Sequence, residues 1–159
     1  MTAPRFDAAL AALVGGGVAF IVVGGVAAVL GGAPINTFDV DIVPARDDAN
    51  VGRLLGALAS IDACYRDLAG SVIRPDAAGL RGPGHHLLLT QHGPLDVLGT
   101  VGAGEDYAQL LPDTELVELG PLTIRVLGLA GLIRTKEAAG RPKDLLALPI
   151  RRRVLAERG

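Results

Sequence analysis

Apolar and polar positions along this chain switch repeatedly between helix-like spacing and strand-like alternation. Residues 6–13 place Phe6, Leu10 and Leu13 on one helical face, and the β-branched run over residues 18–23 predicts a first strand. Gly24-Gly25 interrupts that run before an Ala/Val/Leu stretch over residues 26–30, which predicts a short helix. Over residues 38–43, Phe38, Val40 and Ile42 alternate with Asp39 and Asp41, the signature of a half-buried strand that Pro44 closes. Asp47-Asp48 then caps a helix running to about Ser60, with acids where the helix macrodipole favours them. Residues 70–84 hold four glycines and two prolines with little periodicity and predict a loop. The runs 86–91 and 95–101 flank His92-Gly93-Pro94 as a hairpin, and 115–119 and 122–127 pair around Gly120-Pro121. Two helices follow, 129–139 and 143–157, separated at Gly140-Arg141-Pro142.

This succession predicts an α/β (α+β) fold: a mixed β-sheet flanked by helices, with a C-terminal helical pair. At 159 residues the chain has the length of one domain, 1–159, with a sheet core over about residues 17–127 and the C-terminal helices over about 128–158.

Candidate chemistry starts at Asp39-Val40-Asp41. Alternation turns both carboxylates to one face of the strand, where two unpartnered like charges are costly and a hard cation such as Mg2+, or Mn2+, makes the arrangement favourable. Separated from Asp39 by thirteen residues, Gly24-Gly25 lies between a strand and a helix, so that free backbone N–H groups face an anion with no side chain in the way. Asp96 is a third acid, set between Leu95 and Val97 in an apolar strand, where a carboxylate without a partner is expensive. Glu105, Asp106 and Asp113 are weaker rivals because their surroundings are loop-like. His85, His86 and His92 lack a Cys pair or a well-spaced third ligand and read as residues around the hairpin rather than a zinc site. Neither a Walker A sequence nor a serine-hydrolase elbow is present.

Composition changes the picture in three places. Half the residues are hydrophobic but only 3% are aromatic, so Val, Leu, Ile and Ala must fill the core. One Cys, Cys64, excludes an internal disulfide and fits a reducing cytoplasm. No charged residue occurs from Ala8 to Phe38, yet seven glycines interrupt that segment, which reads as helix, strand, helix rather than as a membrane span; a lone Arg5 followed by Asp7 does not resemble an export signal. The formal net charge of −2 hides an asymmetry. Residues 1–133 carry 7 Lys/Arg against 14 Asp/Glu, a balance of −7, and residues 134–159 carry 8 against 3, a balance of +5. That cationic tail reads either as a solvated helical face or as a holder of triphosphate or an RNA backbone.

The Gly-Gly pair followed by Asp-x-Asp on a strand resembles the nucleotidyltransferase superfamily, the fold of DNA polymerase beta. The run Val-Val-Gly-Gly-Val-Ala-Ala-Val-Leu-Gly-Gly-Ala-Pro-Ile-Asn-Thr-Phe-Asp-Val-Asp-Ile-Val-Pro looks most like the small bacterial AbiEii-type proteins. Two departures stand out: Gly25 occupies a position where many relatives carry Ser, and the loop Ile35-Asn36-Thr37-Phe38 has no Arg. The resemblance implies a nucleotidyltransferase fold in which Asp39, Asp41 and Asp96 hold Mg2+ (or Mn2+) and act in catalysis, with Asp96 completing a second metal position or taking the proton of an acceptor hydroxyl. It implies that Gly24 and Gly25 bind the nucleotide. The pattern Lys136…Arg141-Pro-Lys143-Asp144 resembles a Lys, then Arg-x-Lys-Asp pattern of AbiEii-type proteins and marks Lys136, Arg141 and Lys143 for the triphosphate, although helix capping also accounts for Asp144. The implied reaction moves a nucleoside monophosphate from an NTP such as ATP to a hydroxyl or RNA-end acceptor, tRNA or protein, in the setting of a toxin with an antitoxin partner. The alternative is a catalytically silent module of the same fold that binds a nucleotide or a partner.

Overall fold

A computed structural model describes residues 5–30, 39–66 and 72–139. The described elements are α1 (Phe6–Gly15), β1 (Phe20–Val23), α2 (Gly24–Leu30), β2 (Val40–Pro44), α3 (Asp48–Ser60), β3 (Cys64–Tyr65), α4 (Ala77–Leu80), β4 (His85–Thr90), β5 (Gly93–Leu98), α5 (Tyr107–Leu110), a 3-10 turn (Leu111–Asp113), β6 (Thr114–Leu119), β7 (Leu122–Leu127) and α6 (Leu129–Ala139). The strands form one mixed seven-stranded sheet in the order β3-β4-β5-β2-β1-β7-β6. Hairpins make the antiparallel pairs β4/β5 and β6/β7, while β2/β5 and β1/β7 run parallel and bring together segments far apart in sequence. The mixed sheet flanked by helices is therefore as the residue pattern predicts, and α6 coincides with the expected helix over 129–139.

The helices pack in pairs. α1 lies against α3 and touches β5; α2 and α6 contact each other, and α2 also covers β1, β2 and β7. Leu10, Leu13, Ile21, Ile42, Leu54, Leu58, Leu88 and Leu95 are buried in one continuous core. α3 starts where Asp47 accepts a hydrogen bond from the Asn50 N–H at 3.1 Å, and it buries Val51, Leu54, Ala57 and Leu58 at helical spacing.

Asn50 ties this helix to the centre of the sheet. Its side chain is fully buried and accepts from the Ala19 N–H at 2.8 Å, while its amide donates to the carbonyls of Ala19 at 3.0 Å and Ala45 at 2.7 Å. One side chain thus satisfies backbone groups at the start of β1 and just past the end of β2, holding those two strands in register.

Several details differ from the pattern-based expectation. Pro44 closes β2 as its last residue, paired with Phe20, at a strand end where a missing N–H costs little. The β4/β5 turn is Gln91-His92 rather than His92-Gly93-Pro94, because the Thr90 hydroxyl accepts from the His92 N–H and donates to the Gly93 carbonyl, closing the turn one residue early. Two four-residue helices fall where loops were expected: α4, capped by Asp76, and α5, capped by a reciprocal Asp106/Gln109 box. The expected helix over 143–157 lies outside the described residues. No helix among the described residues is long and apolar enough to cross a membrane.

Replacing Asn50 by Ala leaves the Ala19 N–H and the Ala45 carbonyl without their side-chain partner, while the Ala19 carbonyl keeps the Ala45 N–H, and is expected to destabilise the fold by about 2–4 kcal/mol. A urea titration would show this as a lower midpoint with the slope preserved.

Candidate active site

The parallel register of β2 and β5 sets Val40 beside Leu95, Asp41 beside Asp96 and Ile42 beside Val97. Neighbouring residues in a sheet point to the same face, so Val40, Ile42, Leu95 and Val97 all go into the core while Asp41 and Asp96 meet on the other side. Asp41 is also opposite Val23, the residue before Gly24. At Gly24 the backbone adopts φ +71, and a Cβ there would overlap Asp41 Oδ2. Glycine is thus required at this position twice over, for its left-handed conformation and for its lack of a side chain.

Two carboxylates side by side in a half-buried setting cannot both ionise at little cost. Burial, the charge of Asp96 and the hydrogen bond shared with it push the Asp41 carboxyl up to about 7; the Lys136 ammonium opposes this rise, and Asp39 adds to it. Asp96 also sits above the ordinary carboxylate range, chiefly through burial, while the Arg66 guanidinium and the Asp41 hydrogen bond pull it down. The pair therefore holds a proton between the two strands more tightly than ordinary carboxylates do. Arg66 Nη2 in turn donates to Asp96 Oδ1 at 2.7 Å, with side chains only 19% and 14% exposed.

These residues form a row across the sheet. The Arg66 N–H donates to the Leu87 carbonyl at 3.0 Å, which extends the β3/β4 ladder by one position, and Leu87 is opposite Asp96. Arg66, Leu87, Asp96, Asp41 and Val23 thus occupy successive strands, and Arg66 reaches past Leu87 to the acid. Leu87 and Leu89, on the same face of β4, are 46% and 47% exposed. The face is open on the β4 side of the acids.

No family model matches the chain, and no curated protein matches it in sequence. Among solved structures, a candidate nucleotidyltransferase from Thermotoga maritima superposes with a TM-score of 0.58 at 18% identity, covering 99% of this chain and 96% of that one. The chain shares the fold of that structure. Within this fold, Gly24, Asp41 and Asp96 lie together across β1, β2 and β5. Asp39, one residue before β2, lies near enough for its charge to raise both other acids. Gly25 follows Gly24 in the first turn of α2. Lys136, on α6, is near enough to Asp41 for its charge to act there. Arg141 and Lys143 lie outside the described residues.

The remaining candidates have other work. Glu105 and Asp113 both accept from Arg134, at 2.9 and 3.0 Å, and Asp106 caps α5. His86 Nε2 donates to the Gly79 carbonyl at 3.1 Å and its Nδ1 meets the Tyr65 hydroxyl at 2.7 Å, and burial lowers its proton affinity. His85 Nε2 meets the Thr100 carbonyl at 2.9 Å. Arg66 is the site residue that sequence reasoning missed. Its strand, Cys64–Tyr65, is two residues long and leaves no periodic signal, so nothing in the pattern places an arginine beside the acids.

A hard divalent cation suits the donor set of Asp41 and Asp96. Burial and mutual repulsion raise the proton affinity of the pair, and a cation bound there would compete with that proton. Mg2+ is commonly bound through one or two carboxylates together with substrate phosphates. Among the described residues no group of three or more His, Cys, Asp or Glu side chains is arranged to hold a metal ion.

Two predictions follow from this geometry. Because the Asp41 carboxyl binds its proton more tightly folded (about 7) than unfolded (3.8), the native state holds more protons between those values, and its contribution to stability is lost as pH rises through that window. In chelator, the stability of the unmodified chain should fall relative to Asp41→Asn by up to about 1.4 kcal/mol per pH unit between pH 5 and 7, as read by thermal melting. Gly24→Ala should cost about 1–3 kcal/mol in the same assay through its left-handed backbone and the overlap with Asp41.

Proposed function

We propose that the chain is a metal-dependent nucleotidyltransferase that moves a nucleoside monophosphate from an NTP to a hydroxyl or RNA-end acceptor. The observation that carries this reading is the Asp41/Asp96 pair, held by strand register on an open face of a nucleotidyltransferase fold and abutting the backbone of Gly24. Such a pair is unfavourable by itself and becomes favourable when a cation and a phosphate complete it.

Asp39 and Asp41 would hold Mg2+ or Mn2+ in this proposal, which would supply positive charge to a triphosphate undergoing displacement at its α-phosphate. Gly24 and Gly25 let the phosphates approach the backbone closely at the start of α2. Lys136, together with Arg141 and Lys143, offsets the charge of the departing pyrophosphate. Asp96 orients or deprotonates the acceptor hydroxyl. Leu87 and Leu89 leave an apolar shelf beside the acids on which a base or an acceptor can rest. The AbiEii-type resemblance extends the proposal to a cytoplasmic toxin countered by an antitoxin, with tRNA or a protein hydroxyl as acceptor.

A second reading, a silent nucleotide- or partner-binding module, is favoured by two observations: Gly25 supplies no hydroxyl to a phosphate, and Arg66 already neutralises Asp96. Incubation with each α-labelled ribonucleoside triphosphate, Mg2+ and total RNA separates the two. Label should appear on RNA or on protein with the unmodified chain and drop at least about 100-fold with Asp41→Asn. Binding of nucleotide with no transfer to any acceptor would favour the silent module.

A further inference from the structure

We infer that the acceptor is a protein hydroxyl, a Ser or Thr flanked by aliphatic side chains in an extended, neutral-to-basic polypeptide that docks over Leu87 and Leu89. This rests on the transfer reading above and chooses among the acceptors it allows. Three observations lead here, and the first is position. Leu87 is opposite Asp96, and Leu89 follows on the same face of β4, so a chain that brings a hydroxyl to Asp96 from the open side lies over both leucines. Both are about half exposed among the described residues. Alternate residues of one strand are about 7 Å apart, which is also the repeat of alternate side chains in an extended peptide.

The second observation is charge. Across residues 64–66, 85–90 and 93–98, Arg66 is the only Lys or Arg, and it is held by Asp96 at 2.7 Å. Elsewhere Arg5, Arg46, Arg74 and Arg81 each pair with an acid, and residues 1–133 balance to −7. A nucleic-acid backbone draws its affinity from Lys and Arg at its phosphates, and an acidic body repels it. A neutral or basic peptide is not repelled, and a basic one is attracted. Third, the shelf is aliphatic, whereas unpaired bases are held by stacking on aromatic rings. Tyr65 is the only Phe, Tyr or Trp on these strands; it is opposite the buried Leu88, on the other face of the sheet, with its hydroxyl against His86. His85 Nε2 is engaged with the Thr100 carbonyl. In this transfer the peptide oxygen bonds to the α-phosphorus, and the bond from that phosphorus to the oxygen bridging to the β-phosphate breaks. Pyrophosphate leaves with the electron pair, and the hydroxyl proton goes to solvent.

Acceptor competition on the full chain tests this. Each α-labelled ribonucleoside triphosphate is supplied with Mg2+, total RNA and synthetic peptides holding one central Ser or Thr, flanked either by Leu and Val or by Asp and Gly. The aliphatic peptides should take label at least about tenfold faster than the Asp/Gly peptides, and RNA should take none above the Asp41→Asn control. The double variant Leu87→Ser, Leu89→Ser should raise the KM for the aliphatic peptide at least about tenfold, with kcat and the KM for the triphosphate within about twofold. Label on RNA above that control, or equal labelling of the two peptide sets, would overturn the inference and leave the transfer reading standing. An unchanged peptide KM in the double variant would overturn it as well, because the acceptor would then not rest on β4. Triphosphate that binds without labelling either RNA or peptide would overturn the inference together with the transfer reading. Circular dichroism checks that the double variant is folded, and the peptide comparison on the unmodified chain decides the matter should it unfold.

Discussion

Everything at this site depends on one constraint of register: parallel pairing of β2 with β5 sets the Asp41 carboxylate next to that of Asp96. The core dictates this arrangement. Val40 and Ile42 must go inward with Leu95 and Val97, and once they do, both acids are forced to the other face at the same level of the sheet. A slip of one residue would separate the acids but would also bury them. Repulsion is thus maintained by the same packing that stabilises the fold, and the neighbourhood is organised to supply positive charge from several directions: a shared proton, the guanidinium of Arg66 and the field of Lys136.

Rigidity on one side and access on the other follow from the topology. β1 and β2 lie inside the sheet, and Asn50 fastens their ends to α3 through three buried hydrogen bonds. Gly24 can then approach Asp41 more closely than any residue with a Cβ would permit. On the far side, β3 contributes only two residues, so the sheet thins toward Leu87 and Leu89, and the face stays open there. The acids are thus held on central strands, and the face beside them opens toward the short edge strand.

Much of this was legible in the residues because the relevant signals are local. Alternation at Val40-Asp41-Ile42 and Leu95-Asp96-Val97 assigned faces correctly, and the glycine pair after a β-branched run located the strand-to-helix turn. Convergence of Asp41 with Asp96 was anticipated only through the resemblance, since alternation along one strand says nothing about which strand becomes its neighbour. β3, α4 and α5 were missed because elements of two to four residues depend on caps and tertiary pairing, not on periodicity. Arg66 was missed for the same reason. Its importance comes from a ladder bond to β4, made after a chain reversal, and a lone arginine after Cys64-Tyr65 carries no mark of that.

The retained acid pair bears on whether the fold works as an enzyme or only as a scaffold. In a module that binds without turnover, the simplest relief of the Asp41/Asp96 repulsion is an amide at either position, which would keep the hydrogen bond between strands and abolish the need for the shared proton. This chain instead keeps both carboxylates and places an arginine on one of them, leaving the other with a raised proton affinity next to a backbone that accommodates nothing larger than glycine. Local cost of this kind, sustained by a well-packed core, is what the proposed reading of this face as a site for a charged ligand rests on. Arg66 then has a definite meaning. By pairing with Asp96 alone, it makes two chemically equal acids unlike, one with a guanidinium in hydrogen-bond contact and the other with a raised proton affinity.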